Sequence, residues 1–116
     1  MSEAVKAMQR QTCLHYGTVY FPSPASLTIG LAEQVRSGEL PLHGLRRPPE
    51  GDGSGWYIWA GEFSEAADFF KPRHVSHIET WAPLALKFLG LPPGWRFLVT
   101  PDYENVWYDE ALWNTE

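Results

Sequence analysis

The sequence predicts an α+β fold: a small, mainly antiparallel sheet with helices packed on one face. Three features lead to that class. Short aromatic and β-branched runs have strand length, proline- and glycine-rich turns separate them, and other segments carry apolar residues at helical spacing. With 116 residues, 44% of them hydrophobic and 20% charged, the chain has the composition of a folded protein and room for one domain, expected over residues 1–116.

Taken in order, Ser2 to His15 predicts a helix whose thin apolar stripe of Ala4, Val5 and Met8 leaves residues 1–22 prone to fray. Ser23 as N-cap, Pro24 at the first helical position, a broad apolar face from Ala25 to Val35 and Gly38 as a left-handed stop predict a helix over 24–37. Residues 38–55, rich in proline and glycine, read as a long mobile loop. Trp56 to Ala60 is the first strong strand. Ser64 then caps a short helix containing Ala66, Phe69 and Phe70, which Pro72 ends. A second helix is expected from Trp81 to Leu89, capped by Thr80, stopped by Gly90 and apolar on nearly every side, so that it lies at the centre of the core. Trp95–Thr100 and Glu104–Tyr108 flank a polar turn as a hairpin, and a helical turn over Asp109–Trp113 closes the chain.

The net charge of -5 is unevenly placed. Residues 1–50 hold five basic and four acidic side chains; residues 51–116 hold four and ten. Asp102, Glu104, Asp109, Glu110 and Glu116 follow Pro101 with no lysine or arginine among them. Such a C-terminal acidic patch repels phosphate backbones and attracts cationic partners, which argues against nucleic acid as a partner. No apolar run is long enough for a membrane span or a signal-peptide core, so neither membrane insertion nor secretion by that route is expected. Cys13 is the single cysteine, so no internal disulfide is expected and the cytoplasm is the default location.

No pattern carries catalysis. His74 and His77 are the only cluster resembling a metal site, but H-E-x-x-H and C-x-x-C spacings are absent, so no metal and no cofactor are expected. Gly51–Gly55 lacks the lysine of a phosphate-binding loop and the flanking glycines of a nucleophile elbow. Ser54 reads as a solvated hydroxyl there. Cys13 and His15 lack a third partner. The unusual feature is six tryptophans. Alternation puts Trp56 and Ile58 on one face of a strand and Tyr57 and Trp59 on the other, so some aromatic surface should show. Exposed rings beside charge anchor protein interfaces; a face of Trp56, Trp59 and Trp95 binding a sugar is the alternative.

Gly55-Trp56-Tyr57-Ile58 with Gly61-Glu62, then Gly94-Trp95-Arg96-Phe97-Leu98, then Val106-Trp107-Tyr108-Asp109-Glu110 resemble the small bacterial immunity proteins of polymorphic-toxin systems, in particular the immunity protein thirty-three family. The resemblance covers residues 53–112. It implies a non-enzymatic bacterial protein that binds and neutralises a cognate protein toxin. Asp102, Tyr103, Glu104, Trp107, Asp109 and Glu110 are the expected partner surface, its charge setting the association rate and its rings the residence time.

Overall fold

The computed structural model describes residues 1–114. Among these residues, six strands form one sheet in the order β4-β1-β3-β2-β5-β6. They are β1 (Thr28–Ala32), β2 (Leu42–Arg46), β3 (Gly53–Ala60), β4 (Phe70–His74), β5 (Trp95–Thr100) and β6 (Tyr103–Tyr108). Only β1 and β3 run parallel; every other neighbouring pair is antiparallel. The expected α+β class therefore holds, and the sheet is larger than the sequence led us to expect.

The helical elements gather over one face. Helix α1 (Glu3–His15) begins at Ser2, whose hydroxyl accepts the Val5 N–H at 3.2 Å. It is anchored where it meets the core, with Gln9 donating to the Leu86 carbonyl at 3.0 Å and the Cys13 thiol to that of Gly90 at 3.2 Å. Beneath lie Ile29 and Leu31 of β1, Trp56 and Ile58 of β3, and Phe97 and Val99 of β5, with the Phe88 ring stacked on Phe97 at 4.6 Å. These alternate residues from three strands are the buried half of a one-sided sheet.

Four local expectations are corrected. The helix over 24–37 is instead a turn, then β1, then a 3-10 turn at Glu33–Val35. Ser23 does not cap: it is buried, donates to the Leu89 carbonyl at 2.6 Å and accepts from Trp56 Nε1 at 3.1 Å. Ile29 and Leu31 bury at strand period, and Gly30 leaves room for the Tyr57 ring, which would lie 2.6 Å from a Cβ there. Tertiary contacts thus outweigh a helical local pattern. Gly38 keeps the positive φ of a stop, at 82°, but follows a 3-10 turn.

The stretch 38–55 is not a long loop. It contains β2 and opens β3, joined antiparallel from Leu42 opposite Ala60 to Arg46 opposite Trp56. Ser54 is buried rather than solvated. The segment after Ser64 is a turn leading into β4, where Pro72 occupies an edge strand instead of ending a helix. Between Trp81 and Leu89 the chain is helical but broken. Helix α2 (Ile78–Trp81) ends at Ala82, which Pro83 forces out of helical geometry to φ -151° and ψ 63°, and a 3-10 turn spans Pro83–Phe88. Gly90 is needed for close packing, since a Cβ would lie 2.6 Å from the Tyr20 ring. The hairpin and the closing turn at Glu110–Trp113 match expectation.

Candidate interaction surface

The six expected partner residues lie on β6 and its two ends, and strand alternation divides them. Tyr103 and Trp107, 59% and 37% exposed, share the face opposite the helices. Glu104 is on the helix side, half-buried, where Lys87 and Tyr16 both donate to its carboxylate, Tyr16 at 2.5 Å. Burial alone would raise the Glu104 pKa, but the bonds from Lys87 and Tyr16 and the lysine's charge bring it below the usual value. Burial, reinforced by the same contact, pushes the Tyr16 hydroxyl up to about 12.

Asp109 is also engaged within the chain. One oxygen accepts from Arg96 Nη1 at 3.1 Å, and the other caps the closing turn through the Ala111 N–H at 3.1 Å. Arg96 in turn lies 5.7 Å from the centre of the Trp107 ring. Lys87 and Arg96, which stand outside the acidic run, thus neutralise two of its members. Asp102 in the turn and Glu110 after β6 are the exposed acids left; Glu116 lies outside the described residues. A cleft of about 420 Å³ beside this site is lined by Met8, Leu84, Lys87, Asp102, Tyr103 and Glu104.

Sequence reasoning missed an aromatic cluster on the same open face. The Trp59 ring stacks on His43 at 5.0 Å and meets Phe63 at 5.4 Å, while Phe70 meets Tyr57 at 5.2 Å. Burial, reinforced by the Arg96 charge, lowers the His43 pKa, so this ring is neutral near pH 7. The signal was present in the alternation of Tyr57 and Trp59, but the local pattern puts Phe69 and Phe70 in a short helix after Ser64 and gives Phe63 no role.

The other constellations do not assemble. Trp56 is 1% exposed in the core and Trp59 6% exposed on the opposite face, so with Trp95 they form no common sugar-binding face. His77 stacks on Trp81 at 4.6 Å, with the His74 ring 5.9 Å away, and no group of three or more His, Cys, Asp or Glu among the described residues could hold a metal ion. Cys13 is buried, which pushes its thiol pKa up, whereas His15 is exposed against Tyr16. Among the described residues no helix is long and apolar enough to cross a membrane.

A family model, the Imm33-like domain, matches residues 8–109. The chain belongs to the Imm33-like family. The match includes most of α1 and the entire sheet, so the first half of the chain is part of the family pattern and not an appendage to residues 53–112. No curated protein and no solved structure matched this Imm33-like chain.

Proposed function

We propose that this Imm33-like chain is a non-enzymatic immunity protein that binds and neutralises a cognate bacterial toxin in the cytoplasm of the producing cell. The observation that carries the reading is the family match over residues 8–109. A sheet face that leaves Tyr103 and Trp107 exposed beside Asp102 and Glu110 supports it, because desolvated aromatic anchors dominate protein interfaces. Asp102, Tyr103, Trp107 and Glu110 offer side chains for contact. Glu104 and Asp109 hold that surface in shape through Lys87, Tyr16 and Arg96.

The test first asks whether the reading frame immediately upstream encodes a large protein with a toxin domain at its C-terminus, and then co-expresses that domain with this chain. Growth is expected to be arrested by that domain alone and restored by this chain. Replacing Asp102 and Glu110 together by lysine should slow association roughly 3–10-fold at low salt and flatten its salt dependence, leaving dissociation nearly unchanged. Continued growth arrest in the presence of the folded chain would refute the immunity reading. Unaltered association would remove the two acids from the steering surface.

A further inference from the structure

The sheet has two edges, and they are built differently. At β4, the Val75 N–H donates to the Leu27 carbonyl at 2.9 Å, continuing the antiparallel ladder with β1. That phase directs the backbone of Lys71 and Arg73 toward β1 and turns Phe70, Pro72 and His74 outward. The middle outward position is therefore a proline, which has no N–H to offer, flanked by two cations. These are the features by which an edge strand avoids pairing.

At β6, the Asp109 N–H donates to the Gly94 carbonyl at 2.7 Å and sets the phase of the other ladder. Tyr103, Asn105 and Trp107 bond back to β5, while Glu104, Val106 and Tyr108 turn their N–H and C=O groups outward. Among the described residues, none of these three makes another backbone hydrogen bond. The strand is six residues long and contains no proline, lysine or arginine. One edge is blocked and the other is left as a template.

We propose that the β6 edge takes up an extended segment of the partner protein carrying lysine or arginine, which adds a seventh strand to the sheet. The proposal rests on the immunity reading and states how the toxin is held. Main-chain bonds to Glu104, Val106 and Tyr108 supply register, and Tyr103 and Trp107 flank the added strand on the open face. Charge selects the occupant. Antiparallel self-pairing centred on Val106 would bring Asp102 of each copy opposite Glu110 of the other, and like charges directly opposed destabilise a strand pair. A basic segment meets those same two acids favourably.

Amide hydrogen exchange followed by NMR reads the pattern directly. In the free protein the Glu104, Val106 and Tyr108 amides should exchange faster than those of Tyr103, Asn105 and Trp107. Two probes are added separately: the upstream-encoded toxin domain, and a synthetic nine-residue peptide alternating lysine with threonine. Either should slow the three outward amides at least about 10-fold, and a glutamate-for-lysine peptide should not. Val106→Pro copies the device at Pro72, removing one outward donor without touching the bonds to β5. It should weaken binding of both probes about 10-fold, the worth of one hydrogen bond lost to a pairing strand. Asn105→Pro, which breaks a bond to Leu98, should lower the melting temperature instead.

If neither probe slows the outward amides of the unmodified protein, the edge proposal is overturned, whether or not Val106→Pro folds. Equal binding of the glutamate peptide overturns the choice of a basic partner. Slow outward amides in a concentration-dependent dimer without probe would assign the edge to a second copy and also overturn it. Growth protection that persists while the outward amides stay fast refutes the edge alone. Loss of protection by the unmodified chain refutes the immunity reading, and the peptide still decides the edge.

Discussion

Arg46 sits in the core, 1% exposed, and among the described residues no carboxylate forms a salt bridge with it. Its guanidinium donates to the carbonyls of Phe21 at 2.7 Å, Leu91 at 2.8 Å, Ser54 at 2.9 Å, Pro22 at 3.2 Å and Leu89 at 3.4 Å, between the rings of Phe21 and Trp56. It therefore ties the segment after α1, the start of β3 and the turn before β5 to a single side chain. Burial lowers its pKa to about 10, yet the fork of carbonyl dipoles keeps it charged at neutral pH. Arg46→Met removes the donors while keeping most of the volume. Four carbonyls then lose this donor, whereas Leu89 retains the Ser23 hydroxyl. At ~1 kcal/mol for each stranded acceptor the loss is ~4 kcal/mol, and relief of the buried charge offsets part of it, leaving ~2–4 kcal/mol. Against a total of roughly 5–15 kcal/mol for a domain this size, that is a large fraction. Urea unfolding followed by tryptophan fluorescence should show a midpoint lowered by about 1–2 M with the slope unchanged. Arg46→Lys keeps the charge but reaches fewer carbonyls and should be no more stable than the methionine variant. A methionine variant within about 0.5 kcal/mol of the parent would mean that desolvation cancels the whole network, and the account of Arg46 as a tie would fail.

Two further outcomes follow from side chains around the sheet. The folded Glu104 pKa lies below its ordinary value, so its contribution is present above the unfolded carboxylate pKa, about 4.3, and is lost as pH falls through the folded value. Glu104→Gln should therefore lose less stability than the parent on acidification below roughly pH 5, measured as the change in urea midpoint; parallel pH profiles would refute the network with Lys87 and Tyr16. Gly44 faces Phe97 across β2 and β5, and a Cβ there would overlap the ring that stacks on Phe88. Gly44→Ala should cost about 1–3 kcal/mol by overpacking, checked by thermal unfolding, and a neutral result would mean that the ring can move aside.

Legibility in the sequence followed the range of the interactions involved. The β5–β6 hairpin is local: a two-residue Pro101–Asp102 turn joins strands in sequential contact, and its pattern was sufficient. Helix α1 was legible through the spacing of Ala4, Val5 and Met8, though its anchoring depends on carbonyls of Leu86 and Gly90 that no local window contains. β1 was misread because Ser23 and Pro24 imitate a helix start. The competing signal, a hydroxyl needed by Leu89 and Trp56, connects residues 33 and 66 positions apart. Charge behaved in the same way. The run from Asp102 to Glu110 reads as an undivided acidic patch, but Lys87 and Arg96 arrive from neighbouring elements and consume two of its acids.

That partial neutralisation changes what the surface can do. Paired Glu104 and Asp109 contribute little to the long-range field, so steering falls to Asp102 and Glu110, at opposite ends of β6. Two exposed charges can accelerate encounter but cannot hold a partner against physiological salt; residence has to come from desolvated contact. The contact available combines the rings of Tyr103 and Trp107 with the outward main chain of Glu104, Val106 and Tyr108. Side chains and main chain then act on different steps, and the two can be separated experimentally. Lysine at 102 and 110 should act on the association rate, and proline at 106 on the dissociation rate. If proline at 106 slowed association while leaving dissociation intact, β6 would be a guide for encounter and the lasting contact would have to be sought elsewhere on the open face, around Trp59, Phe63 and Phe70.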